Sequence, residues 1–192
     1  MDPVLALIAR QMVAHAGLEA VVQIQLGHSE VRLDRLCGSS SFDLVFFDQR
    51  GSRFREDLEK LEEMGALHPK AVLIADNVLK PGAPTFLWYV CAAPGWRSLI
   101  VELGDFGPCG VLDWMSVSQK VAAEQRSQES PELPEKIQHL AWQADEMRWR
   151  SIDYHVTPQE WTAFAEYMKA SLEGVASHNS VRIVRISCPI FV

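Results

Sequence analysis

Short apolar runs alternate with amphipathic stretches along the first hundred residues. Residues 42–47 (FDLVFF) and 71–75 (AVLIA) are near-continuous apolar runs, which predicts strands buried on both faces, as in a parallel sheet. Between them, residues 54–64 form an acidic amphipathic stretch that predicts a helix. This strand–helix–strand alternation predicts a doubly wound α/β sheet with right-handed crossovers.

The flanking segments extend the same pattern. Asp2 and Pro3 form a good N-cap and N1 pair for a helix over residues 3–15, and Gly17 is a plausible stop. The run 21–26 (VVQIQL) is short and rich in β-branched residues, which predicts a strand. Residues 85–91 are a further helical candidate, and residues 98–103 predict another strand.

The composition changes near residue 124. We predict an α/β domain over residues 1–123, a linker over 124–136 that is rich in Gln, Ser, Glu and Pro, and a helical extension over 137–192. Residues 137–149 predict a helix, and Thr157 with Glu160 forms a capping box for a second one. Residues 181–186 (VRIVRI) alternate apolar and basic side chains, which predicts a terminal edge strand.

Length and charge narrow the functional classes. The 192 residues suffice for one α/β domain with a sizeable core. A net charge of −7 disfavours nucleic acid as a partner, and no apolar run is long enough to span a bilayer. The sequence opens with no signal peptide, so we expect a cytoplasmic protein without a membrane partner. Its four scattered cysteines favour reduced thiols over a zinc site or a disulfide framework.

Polar residues follow both buried runs. Asp48 comes directly after one, and Asp76 with Asn77 follows the other. Ligands of open α/β sheets lie beyond the carboxyl ends of the strands, so neighbouring strands would bring these side chains together. Two carboxylates and an amide oxygen suit Mg²⁺. The alternative is that the aspartates only cap the turns that follow.

The segment over residues 42–87 resembles the core of catechol O-methyltransferases. The most specific matches are Ala-Asp-Asn-Val at 75–78 and Pro-Gly-Ala-Pro at 81–84, and the Asp48-to-Asp76 interval fits without a gap. Residues 8–18, the Gly-His-Ser-Glu turn at 27–30 and residues 111–115 also resemble family segments, so the likeness covers about residues 1–120. It implies part of a Rossmann-like methyltransferase sheet with helices on both faces, followed by a helical C-terminal extension.

The resemblance also implies chemistry. That family transfers a methyl group from S-adenosylmethionine to a catechol hydroxyl, with Mg²⁺ chelating both oxygens. By resemblance, the metal ligands are Asp48, Asp76 and Asn77, and a small catechol-like acceptor would contact Asp48, Asn77 and Pro81. The implied cofactor-binding residues are Gly27, His28, Ser29, Glu30, Asp48, Gln49 and Arg50.

The sequence departs from the family at several of these positions. Gly51 stands where the family has its catalytic lysine, Arg50 replaces an aromatic residue and Gln49 replaces a histidine. The acidic residue that holds the second hydroxyl has no clear match, with Ala122 nearest and Glu124 displaced. The Gly-rich cofactor turn is missing, and a central sheet without its first strand would expose an edge. We therefore assign no catalytic residue and expect a shortened or divergent member.

Three functional readings follow. The first is an S-adenosylmethionine- and Mg²⁺-dependent O-methyltransferase. The second is an inactive relative that binds a metal or a partner, and the third is a subunit that associates through its C-terminal helices. Trp142, Trp149 and Trp161 have helical spacing in that region and predict core packing or a partner face rather than a ligand cage.

Overall fold

The computed structural model describes residues 2–36, 41–104, 112–121, 132–176 and 182–186. Its contacts divide the chain into two compact units, residues 1–41 and residues 42–192. No helix within the described ranges is both long and apolar enough to cross a membrane.

Residues 2–36 of the N-terminal unit form two helices, α1 (Pro3–His15) and α2 (Ser29–Leu36). The predicted start of α1 is confirmed, because Asp2 is its N-cap and its side chain accepts a hydrogen bond of 2.8 Å from the Val4 amide. Gly17 follows the helix with φ of 68°, a left-handed conformation that glycine adopts without steric cost. Local capping signals therefore fixed both ends of this helix.

The strand predicted over residues 21–26 is wrong. The amides of Val21 and Val22 instead bond to the carbonyl of Leu18, in a turn that follows α1. The Arg10 guanidinium donates a hydrogen bond of 2.9 Å to the carbonyl of Ile24. A strand needs a partner for its backbone groups, and the described part of this unit contains none.

The C-terminal unit is built on a mixed sheet. Its described strands are β1 (Phe42–Phe47), β2 (Leu67–Ala75), β3 (Trp96–Gly104), β4 (Leu112–Lys120) and β5 (Arg182–Ile186). They lie in the order β1-β2-β4-β3-β5. Strands β1 and β2 are parallel, as are β3 and β5, whereas β4 runs antiparallel to both β2 and β3.

The described part of this unit contains four α-helices, and the predicted α/β class is confirmed. The helices are α3 (Phe54–Glu63), α4 (Pro84–Ala92), α5 (Glu135–Asp153) and α6 (Pro158–Ala176). Alternate residues of β2, including Ala71, Leu73 and Ala75, are fully buried. Because side chains alternate across a strand, this burial defines one packed face of the sheet.

Strand β1 differs from the prediction in its burial. Its position in the sequence is confirmed, but Leu44 and Phe46 are 56% and 50% exposed, so the strand is not buried on both faces. Within the described sheet β1 is an edge strand that pairs only with β2. Leu44 and Phe46 are two residues apart, so their exposed side chains lie on one face of the strand.

Helices α5 and α6 lie in the same compact unit as the strands. The predicted capping box is confirmed: the Thr157 amide donates to Glu160 Oε2 at 2.9 Å, and the Glu160 amide donates to Thr157 Oγ1 at 3.3 Å. On α6, Met168 and Leu172 are fully buried. The predicted domain boundary at 123/124 and most of the predicted linker lie outside the described residues.

Candidate functional site

The two strand ends that carry the predicted ligands are neighbours. Strands β1 and β2 are parallel, and their register continues to the pair Phe47 and Ala75. The Asp76 amide then donates a hydrogen bond of 3.0 Å to the carbonyl of Phe47. Asp48 and Asp76 are therefore the first residues beyond adjacent carboxyl ends, as the sequence predicted.

Asn77 completes this corner in an unusual backbone conformation. Its φ and ψ are 56° and 40°, in the left-handed region that asparagine tolerates better than most residues. Its amide donates to Asp76 Oδ1 at 2.8 Å, and its side-chain Nδ2 donates to Asp113 Oδ2 at 3.3 Å. The side-chain oxygen of Asn77 is consequently left on the side away from Asp113.

Asp113 is the site residue that sequence reasoning missed. It lies on β4 and is only 8% exposed. Its Oδ1 accepts hydrogen bonds from the amides of Leu79 at 3.0 Å, Lys80 at 3.2 Å and Trp114 at 2.7 Å. Burial raises the pKa of Asp113 to about 6 despite these hydrogen bonds, which lower it. An acidic residue in an apolar strand was the available signal.

The segment after Asn77 is an irregular helical turn, Val78–Gly82, that contains Pro81. Gly82 has φ of 111°, and a Cβ atom there would lie 2.9 Å from Met168 Cε and 3.4 Å from Ala144 Cβ. The C-terminal helices thus pack directly on the turn that carries the predicted substrate wall.

The residues that follow Asp48 are held by other parts of the unit. Gln49 Nε2 donates to Asp57 Oδ2 at 2.9 Å. Arg50 forms an ion pair of 3.2 Å with Asp145, and its guanidinium lies 5.1 Å from the ring centroid of Trp149. Both predicted cofactor-edge residues are therefore engaged by helices α3 and α5.

The remaining predicted cofactor residues, 27–30, lie in the N-terminal unit. Gly27 has φ of 141°, and a Cβ atom there would lie 2.5 Å from Arg32 Nε. The carbonyl of His28 accepts hydrogen bonds from the amides of Val31 and Arg32. Ser29 and Glu30 begin helix α2. The segment is thus a glycine-dependent turn into a helix.

Part of this chain is similar in sequence to known proteins. No protein-family model matches the chain. It is 40% identical to catechol O-methyltransferase B of Danio rerio over 100 residues, which are 50% of this chain and 38% of that protein. It is also 41% identical to catechol O-methyltransferase of Bos taurus over 92 residues, or 46% of this chain and 34% of that protein.

The chain is similar to catechol O-methyltransferases over about half of its length. A further match is the Sus scrofa catechol O-methyltransferase, with 40% identity over 47% of this chain and 50% of that protein. The chain thus spans a third to a half of the length of these relatives. The similarity to catechol O-methyltransferases predicted from the sequence is confirmed.

Solved structures support the methyltransferase fold. The O-methyltransferase from Bacillus cereus, solved in complex with SAH, has a TM-score of 0.53 and 19% identity over 62% of this chain and 59% of that one. The O-methyltransferase TomG from Streptomyces achromogenes, solved in complex with SAM, has a TM-score of 0.53 and 21% identity over 63% of this chain and 59% of that one. The fold is therefore that of Rossmann-like O-methyltransferases.

The oxygen donors of Asp48, Asp76 and Asn77 in this chain fit a hard divalent cation. Asp48 is exposed, and Asp76 and Asn77 are half-buried, so the three groups offer oxygen donors that solvent can reach. Carboxylate and amide oxygens are the ligands that Mg²⁺ takes in proteins, usually with several waters. No group of three or more His, Cys, Asp or Glu side chains in the described ranges is arranged to hold a metal, and of the three predicted ligands only Asp48 and Asp76 are of these residue types.

Two predicted positions cannot be placed. Ala122 and Glu124, the candidates for the acidic residue that holds a second hydroxyl in the family, lie outside the described residues. Within the described chain, the carboxylate that contacts the Asn77 corner from β4 is that of Asp113.

Proposed function

We propose that this chain acts as an S-adenosylmethionine- and Mg²⁺-dependent O-methyltransferase on catechol-type acceptors. The observation that carries the proposal is the adjacency of Asp48 to the Asp76–Asn77 corner, at the carboxyl ends of two paired parallel strands. This is where open α/β sheets bind ligands. The names of the relatives supply the catechol acceptor class, and the solved neighbours supply the cofactor class.

The residues of the corner would divide the work. Asp48, Asp76 and the Asn77 side-chain oxygen would hold Mg²⁺, and Pro81 in the adjoining turn would form part of the acceptor wall. The bound ion would lower the pKa of a coordinated hydroxyl and orient it. Fixing the acceptor against the methyl donor supplies acceleration by positioning alone. Position 51 offers no proton acceptor, because glycine has no side chain.

A titration of the apoprotein with MgCl₂ by calorimetry tests the metal site. Asp48→Asn and Asp76→Asn are each expected to weaken binding about tenfold or more, because each removes a charged ligand. Asp43→Asn is the matched control: Asp43 lies near the opposite end of β1 from Asp48, and its side chain is 86% exposed. Equal loss in all three variants would argue for a general charge effect and against a site.

A second titration tests the methyltransferase part of the proposal. We expect saturable binding of S-adenosylmethionine that Mg²⁺ strengthens, and Mg²⁺-dependent methylation of catechol that Asp76→Asn abolishes. Absence of S-adenosylmethionine binding at millimolar concentration, in a protein that binds Mg²⁺, would contradict it.

One observation favours a second candidate, an inactive relative that retains the metal corner. Gly51 stands where the family has its catalytic lysine, and a Cβ atom on Gly51 would overlap the carbonyl oxygen of Gly82. Such a protein would bind Mg²⁺ without transferring a methyl group.

A cytoplasmic location and association through the C-terminal helices stay predictions. Gel filtration tests the predicted association.

A further inference from the structure

We propose that Asp113 is a positioning residue for the metal corner. It would fix the side-chain amide of Asn77 so that Oδ1, and not Nδ2, is offered to the cation. This inference rests on the proposed function, because it assigns the atom through which Asn77 would bind Mg²⁺. It concerns the hydrogen bond from Asn77 Nδ2 to Asp113 Oδ2, which is 3.3 Å long.

The chemistry of that contact selects one amide orientation. An asparagine amide has a donor end and an acceptor end, whereas an ionised carboxylate only accepts hydrogen bonds. The NH₂ group of Asn77 must therefore face Asp113, and Oδ1 must face the other way. With the amide reversed, two oxygens would meet at Asp113 and two N–H groups would face the cation.

Asp113 can fix this orientation because it is itself fixed. Its Oδ1 accepts the amides of Leu79, Lys80 and Trp114, and its side chain is almost fully buried. Oδ1 therefore accepts from the backbone amides, and Oδ2 accepts from Asn77. A group with so many partners resists rotation about its side-chain bonds.

The fold brings this carboxylate to the site from a third strand. Strand β4 pairs with β2 through Ala75 and Ser116, on the side of β2 opposite to β1. The corner thus receives Asp48 from the end of β1, Asp76 and Asn77 from the end of β2, and Asp113 from β4. Partners that orient a metal ligand typically change metal affinity by about 10- to 100-fold when they are lost.

The test compares a variant of Asp113 alone with a double variant in which the side chains of Asn77 and Asp113 are exchanged. In Asp113→Asn, the three backbone donors keep the Asn oxygen on their side, so its NH₂ group would face the NH₂ group of Asn77. We expect the Mg²⁺ dissociation constant to rise about 10- to 100-fold. The double variant Asn77→Asp/Asp113→Asn restores one donor and one acceptor across the contact and adds a carboxylate to the corner, so we expect its Mg²⁺ affinity to be at least that of the wild type.

Two controls separate orientation from folding. Glu102→Gln makes the same carboxylate-to-amide change at a buried position on β3 and is expected to leave Mg²⁺ affinity unchanged. In an Asn77→Ala background, Asp113→Asn is expected to cause no further loss, because the residue it positions is absent. Circular dichroism melts of each variant report on folding.

The outcomes distinguish the two proposals. Wild-type affinity in Asp113→Asn, with binding lost in Asp76→Asn, would overturn the role of Asp113 and leave the metal site standing. A folded double variant as weak as Asp113→Asn would also overturn it. If Asp113→Asn does not fold, the residue supports the whole turn and the specific role fails. A wild-type chain that binds no Mg²⁺ would sink both.

Discussion

Gly51 packs directly against the carbonyl oxygen of Gly82, and a Cβ atom at position 51 would overlap that oxygen. Gly82 in turn lies against Met168 of α6 and Ala144 of α5. The turn after β1, the turn after β2 and the C-terminal helices therefore form one packed stack. The absence of a side chain at position 51 is a packing requirement of this chain, because the atoms that a Cβ would overlap belong to the backbone of the turn after β2.

Replacing Gly51 with lysine should therefore not restore the family's catalytic residue. We expect Gly51→Ala and Gly51→Lys to lower the free energy of unfolding by about 1–3 kcal/mol through overpacking, and Gly51→Lys to give no gain in methyl transfer. Urea denaturation and a methyl-transfer assay measure the two effects. The matched control is Gly174→Ala on α6, where nothing lies within 4 Å of the added atom.

That control should change stability in the opposite direction. Replacing a helical glycine that has open space around it with alanine raises the free energy of unfolding by about 1 kcal/mol, because alanine has the higher helix propensity. A stable and active Gly51→Lys protein would show that the stack opens readily, and it would favour the enzyme over the inactive relative.

The buried ion pair between Lys169 and Glu102 should hold α6 on the sheet. Lys169 Nζ lies 2.6 Å from the carboxylate of Glu102, which is 6% exposed and also accepts a hydrogen bond of 3.1 Å from Trp114 Nε1. Lys169→Met removes the ammonium group that pairs with this buried carboxylate, so we expect a loss of about 3–5 kcal/mol in unfolding free energy by urea titration.

The size of the loss in unfolding free energy depends on the negative charge of Glu102 that remains buried. Glu102→Gln/Lys169→Met removes both charges and should lose less than Lys169→Met alone. Lys136→Met is the matched control, since Lys136 is exposed and bonds to the Ser171 carbonyl of α6; its effect should stay within about 0.5 kcal/mol. Equal effects at positions 136 and 169 would refute the anchoring role.

The capping box at Thr157 predicts a pH-dependent helix start. Hydrogen bonds from the Thr157 amide and hydroxyl, and from Arg150, lower the pKa of Glu160 from 4.5 to about 2. A depressed folded-state pKa stabilises the fold above the unfolded value, and that stabilisation is lost as the pH falls from about 4.5 to 2. Glu160→Ala should therefore lower Tm at pH 7, and the difference should vanish toward pH 2.

Glu166→Ala, on the exposed surface of the same helix, is the matched control and should show no such pH-dependent difference. Because the Glu160 side chain is 42% exposed, salt should reduce its effect. A Tm difference that is constant from pH 7 to 2 would contradict the role of the charge.

The parts of the fold that sequence predicted are those fixed by local signals. Asp2 and Gly17 set the ends of α1, and the apolar run 42–47 gave the bounds of β1. The sequence also placed Asp48 and Asp76 at the carboxyl ends of two strands, on the condition that these strands are neighbours, and the structure shows that β1 and β2 pair.

The features that sequence could not predict depend on distant partners. The run 21–26 has strand-forming residues but no partner strand in its described unit, so propensity gave the wrong answer. The contact of Asp113 with Asn77 joins positions 36 residues apart in the chain. The ion pair of Arg50 with Asp145 likewise depends on where α5 packs. None of these three features is indicated by the spacing of residues along the sequence.

Cys91 should be chemically inert while the protein is folded. It is 4% exposed, and burial raises the pKa of its thiol to about 12, although a hydrogen bond with Ser98 lowers it. The thiolate is the nucleophile in alkylation, and at pH 8 only about one thiol in 10,000 would be ionised at such a pKa. Iodoacetamide at pH 8 should therefore leave Cys91 unmodified in native protein and label it fully in urea. Peptide mass mapping resolves Cys91 from the other cysteines of the chain. Rapid labelling without denaturant would mean that Cys91 becomes exposed on the timescale of the reaction, which would contradict its burial in the folded protein.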